Sequence, residues 1–154
     1  MDEINKTTIA FVYNDNVYVT NERNIVPNGA IAITVPEGTQ LDEVEWDGTQ
    51  LRLKDKATVE QERLQRLRDQ ALELNLKRYR DFCETNDGEI EKYRKRSELG
   101  ILDENDEADY QYALESYRTA TIEYRATKGA IMNMSQQELE KFVAKSNSSF
   151  GYTG

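Results

Sequence analysis

The chain has 154 residues and a mass of 17.8 kDa, is 38% hydrophobic and 32% charged, and has a mean hydropathy of −0.82; that leaves room for one ordinary domain, or a small module joined to a helical one, with a thin core. Twenty basic against 29 acidic residues give a formal charge of −9, which repels phosphate backbones and anionic lipid, so neither nucleic acid nor membrane is expected as a partner. The start MDEINKTTIAFVY lacks a basic region ahead of a long apolar run, and no stretch approaches the ~20 apolar residues of a spanning helix, so a soluble chain without an export signal is expected.

Along the chain, TIAFVY (8–13) and VYVT (17–20) flank the turn formers Asn14 to Asn16 and predict a hairpin. After a loop through Pro27, Asn28 and Gly29, AIAITV places Ile31, Ile33 and Val35 on one face, and Pro36 to Gly38 end that strand. In EVEWDGTQLRL, Val44 and Trp46 alternate with acids, Asp47-Gly48 suits a tight primed turn, and Leu51 and Leu53 return the apolar face. The prediction is one small antiparallel sheet of four or five strands over residues 1–55, too small to stand comfortably alone.

From residue 57 the hydrophobic period changes from 2 to 3.6. A helix is predicted over 58–83, opened by a capping box of Thr58 and Gln61. Leu64, Leu67, Ala71 and Leu74 form one stripe, and Leu72, Leu76, Tyr79 and Cys83 an adjoining one. Thr85, Asn86, Asp87 and Gly88 predict a break, followed by a shorter helix with Ile90, Tyr93 and Leu99 that stops at Gly100. Asp103 is the N-cap of a third helix, 104–128, which carries Tyr110, Ala113, Leu114, Tyr117, Ala120, Thr121 and Tyr124 on one side and ends at Gly129. Ser135 and Glu138 make a capping box for a short last helix with Leu139, Phe142 and Val143. The organisation expected is α+β: a β-domain at 1–55, an extended helical hairpin or bundle at 56–145, and a flexible tail at 146–154.

Candidate chemistry is sparse. Cys83, the only cysteine, cannot close an internal disulfide, and the chain has no histidine, the commonest base and metal ligand. Asp81, Glu84 and Asp87 near Cys83 disfavour a thiolate, so an inert packed cysteine is expected. DENDEADY alternates acids like a calcium loop, but Ala108 stands where the sharp turn needs glycine and Leu114 where a bidentate glutamate is required; acids at a helix N-terminus account for it better. The basic runs 77–80 and 92–96 have acids close by in the same helices, which predicts ion pairs rather than a nucleic-acid surface. Sequons at Asn5 and Asn147 matter only in a secretory compartment. No catalytic, cofactor-binding or metal-binding residue is assigned, and no enzyme activity is expected. Nine tyrosines suit interhelix packing or a protein interface.

The order of parts resembles that of a protein family. VPNGAIAITVPEG and EWDGTQLRL ahead of a helical segment, Arg80-Asp81 followed by Thr85 and Asp87, and Tyr117-Arg118 preceding Ala120 resemble the tail fibre assembly proteins and tail assembly chaperones of bacteriophages. The similarity covers residues 78–126; Asn86 separates Thr85 from its acid, and TATIEYRATKG lacks the proline of the family's closing run. The resemblance implies a non-enzymatic protein that binds tail fibre, tail or baseplate proteins in the host cytoplasm during assembly, or else a permanent component of the virion tail, fibre base or baseplate. On that reading the partner-binding residues are Tyr79, Phe82, Tyr110, Tyr117, Arg118 and Tyr124, with homo-oligomerisation through the long helices as a further expectation.

Overall fold

Two consecutive residues of positive φ, Asn14 (51°) and Asp15 (60°), turn the first hairpin. Asn and Asp tolerate the left-handed region, and a two-residue turn of this hand matches strand twist. It joins β1 (Thr8–Tyr13) to β2 (Asn16–Thr20), and β3 (Ile31–Val35) pairs antiparallel with the other edge of β1. The computed structural model describes residues 7–148. The chain divides into two compact units, one up to Arg63 and one from Leu64.

The expected single sheet is instead two: a three-stranded sheet in the order β2-β1-β3, and a separate hairpin of β4 (Val44–Trp46) with β5 (Leu51–Leu53). A short 3-10 turn, Leu41–Glu43, leads into β4 with its own capping box from Gln40 and Glu43. The sheets share one core of Ala10, Val12, Val35, Val44 and Leu51, with Val17, Val19, Ile33 and Trp46 against it. Two half-buried sheets thus cover one another, which a flat single sheet of this size cannot do. The β4–β5 turn is also displaced by one residue from the expected Asp47-Gly48. Asp47 N–H donates to Gln50 C=O, which leaves Gly48 (φ +91°) and Thr49 at the tip, and Asp47 Oδ1 accepts from the backbone N–H of both Thr49 and Gln50. Those two amides hold the Asp47 carboxyl below its ordinary pKa.

The long helix α1 runs unbroken from Lys56 to Glu98. It starts two residues earlier than expected, with Val59 N–H bonded to Asp55 C=O, so Thr58 lies inside the first turn rather than capping it. Its first two turns belong to the β unit. Arg63 grips Asp42 through two bonds of 2.9 Å, Lys54 pairs with Glu62, and Val59 is buried. These contacts put the division between units at Arg63 rather than at residue 55.

The predicted break at Thr85–Gly88 is absent. Thr85 Oγ1 donates back to Asp81 C=O, a bond a helix accommodates, and Gly88 keeps helical φ with open space around it. A glycine in a helix interior costs about 1 kcal/mol relative to alanine. Gly88→Ala is therefore expected to raise the unfolding free energy by about that amount, measured by urea denaturation. Gly100→Ala is expected to lower it, because Gly100 has φ +68°. That glycine ends α1 in a Schellman motif, with Ile101 N–H on Arg96 C=O and Gly100 N–H on Ser97 C=O.

Helix α2 (Glu104–Ile131) begins at the expected cap, Asp103, whose carboxylate accepts from Asp106 N–H at 2.7 Å while the Asp106 carboxylate accepts from Asp103 N–H. It continues through Gly129, beyond the expected end, because Ile131 is fully buried and anchors the last turn. Helix α3 (Gln136–Ser148) opens on the Ser135–Glu138 capping box, and its Leu139 and Val143 join Ala71 and Ile131 in the second core. Residues 146–148 of the expected tail are thus helical, Asn147 is exposed there, and Asn5 and the remainder of the tail lie outside the described residues.

Candidate functional site

Within the unit from Leu64, α1 and α2 form an antiparallel hairpin roughly 40 Å long at ~1.5 Å per residue. Its register is fixed by polar cross-links. Arg68 donates to the C=O groups of Ile131 and Met134, Asn75 Nδ2 to Tyr124 C=O, the Tyr79 hydroxyl meets Thr121 Oγ1 at 2.8 Å, and Arg96 reaches Asp106 Oδ1 at 2.8 Å. On α2 large and small residues alternate at steps of three and four: Tyr110, Ala113, Tyr117, Ala120, Tyr124. Ala113 and Ala120 are buried, so the helix backbones approach closely there while the tyrosines lean over the seam.

Four of the six partner-binding candidates make contacts inside this hairpin. Tyr79 and Tyr124 stack face to face, with ring centroids 4.5 Å apart and planes 13° from parallel. Tyr110 packs at a tilt on buried Tyr93, 6.0 Å between centroids. The Tyr79 hydroxyl beside Tyr117 raises the Tyr117 pKa to about 12, with smaller contributions from Cys83, burial and Asp87. Phe82 is half-buried, and Arg118 is exposed, 3.9 Å from Glu115. Cys83 is half-buried on α1.

A raised tyrosine pKa means that the fold favours the neutral phenol. The unfolded chain ionises first, so this contribution is intact below pH 10 and is lost as pH rises from 10 towards 12. Ultraviolet titration of phenolate formation checks it. Tyr79→Phe is expected to bring the highest-titrating tyrosine down towards 10, and Tyr117→Phe to remove it.

The arrangement leaves an outward arc on α2. Leu114 and Tyr117 are each 37% exposed and Ile122 is 60% exposed, with Arg118 between them at helical spacing. Of this arc only Tyr117 and Arg118 are among the sequence candidates; Leu114 falls in the sequence pattern on the same side as the packing tyrosines, and the signal for Ile122 is its place eight residues after Leu114. Sequence reasoning also missed Asn75 and Arg68. Asn75 is buried and lies midway between Ala71 and Tyr79 at steps of four, a polar residue in the inner stripe that needed a backbone partner.

Elsewhere on α1 several charges are locally paired. Arg94 bridges Glu91 and Glu98, Lys92 meets Glu89, and Lys77 meets Asp81. Among the described residues no group of three acids, cysteines or histidines could hold a metal ion, and no helix is long and apolar enough to cross a membrane. Comparison with family models, with curated proteins and with solved structures finds no match to the chain.

Proposed function

We propose that the chain is a non-enzymatic bacteriophage tail-associated protein that binds tail fibre or tail subunits during assembly. The observation that carries this reading is the arc of Leu114, Tyr117, Arg118 and Ile122, which keeps apolar and guanidinium surface in water on one side of α2. Tyrosine and arginine over aliphatic neighbours are the residue types that anchor protein interfaces. The resemblance over residues 78–126 supplies the class of partner, because Tyr117-Arg118 belongs both to the arc and to the matched motif.

Binding works by coverage. A partner helix or subunit face laid on the arc removes Leu114 and Ile122 from water, and Arg118, held among the described residues by a 3.9 Å contact to Glu115, is available to orient it. Co-expression with a tail fibre protein and with the products of neighbouring reading frames, followed by size-exclusion chromatography, tests this. A stable complex is the expected result, and a solitary chain with every such protein would overturn the reading. Mass spectrometry of purified particles then separates roles: absence from the particle marks an assembly chaperone, and stoichiometric recovery marks a permanent tail component.

A further inference from the structure

Strand β2 is an edge. The two-residue turn makes Tyr13 and Asn16 the closing hydrogen-bonded pair, so Phe11 with Tyr18 and Ile9 with Thr20 exchange bonds across β1–β2. Val17 and Val19 then turn their N–H and C=O groups to the far side, where among the described residues the sheet has no further strand. That side opens on a groove of about 480 Å³, with Thr8 and Val17 to Asn21 along one wall and Gly38 to Leu41 along the other. None of these lining residues is charged.

Edges of this kind are normally blocked by lysine, proline or a bulge. Asn16–Thr20 has none of these and pairs in unbroken register. Both walls are held in place before anything binds. On one side the Val17 and Val19 side chains pack on the core, Tyr18 stacks on Phe11 at 5.1 Å, and Thr8 Oγ1 donates to Asn21 Oδ1. On the other, Thr39 Oγ1 donates to Pro36 C=O, Gln40 Nε2 to Gly38 C=O, and Gln40 N–H to the Glu43 carboxylate.

We propose that this groove takes an uncharged, extended segment of a partner polypeptide, added to β2 as a fourth strand through the N–H and C=O groups of Val17 and Val19. Two donor–acceptor pairs spaced two residues apart, ~6.8 Å, repeat at the period of another extended backbone. A charged segment would lose hydration here without gaining a counter-ion. The site lies wholly within the unit that ends at Arg63 and uses no residue of α2, so its failure leaves the helical arc standing as a binding surface.

The test uses the full chain, labelled with ¹⁵N, and the peptide acetyl-Thr-Val-Thr-Val-Thr-amide. The peptide is expected to slow amide exchange at Val17 and Val19 roughly tenfold or more while leaving the Tyr18 and Thr20 amides, already bonded to β1, unchanged. The same peptide N-methylated at every residue is expected not to bind, since it cannot donate to a ladder, and Val19→Pro is expected to abolish the effect. The N-methylated control keeps the test valid should that variant misfold. Unchanged exchange at Val17 and Val19, equal binding of the N-methylated peptide, or protection of these amides by the uncharged saccharide cellotriose in place of the peptide would each overturn the proposal.

Discussion

Leu139→Ala is expected to cost about 2–5 kcal/mol of unfolding free energy, the range for emptying a leucine-sized space in a closed core. Leu139 and Ile131 are the largest fully buried side chains of the protein's described residues, and Ala71 beside them is also completely shielded. The fully buried neighbours have little freedom to close the cavity. Ala71 has only a methyl group, Ile131 is fixed in the last turn of α2, and the Ser135–Glu138 capping box sets the direction in which α3 enters. Urea denaturation followed by helical circular dichroism should show a lower midpoint with an unchanged slope. A loss under ~1 kcal/mol would mean that α3 does not close this core.

Gly88→Pro is expected to cost ~3 kcal/mol or more, because proline in a helix interior removes a backbone bond and drives its ring into the carbonyl four residues earlier. The damage should spread towards the hairpin tip, where Tyr93 faces Asp109 and Arg96 pairs with Asp106. Set beside the stabilisation expected for Gly88→Ala, it makes a test of helix continuity at one position. Were α1 broken at Gly88 with a left-handed glycine, alanine would destabilise; in a continuous helix alanine stabilises and only proline is harmful.

Most of the local chemistry of the ends was legible in the sequence, although Thr58 lies inside the first turn of α1 and the β4–β5 turn is displaced by one residue. Asp103, Ser135 with Glu138, Gly100 and the Asn14–Asp15 turn act where their residue types say they should, since caps and tight turns are decided within four or five residues. The α+β class followed from the change of period near residue 57. The break at Thr85–Gly88 was misread because the same local signals are weak against packing. Helical Thr, Asn, Asp and Gly cost a few tenths to about 1 kcal/mol each, whereas Tyr79 on one side and Tyr93 on the other both gain partners on α2. Gly129 was misread for the same reason, with Ile131 as the anchor beyond it.

The division of five strands into two sheets depends on which strands meet across the core, and strand pattern alone does not carry that. The candidate site was legible in part. The tyrosine–alanine alternation marked the right face of α2 for the hairpin, but it could not say how far the rings would be consumed by α1. Tyr79 and Tyr124 are spent on each other, whereas Tyr117, although its hydroxyl meets that of Tyr79, keeps part of its ring exposed with Arg118 beside Leu114 and Ile122.

Whether that outward arc is a binding surface is decided most directly by the affinity of a co-purified tail fibre partner for the native chain and for the double variant Tyr117→Ala, Ile122→Asp. An interface anchor contributes ~2 kcal/mol or more, so the account predicts at least roughly thirtyfold weaker binding, with the helical circular dichroism of the variant unchanged. Equal affinity of the two proteins would contradict it.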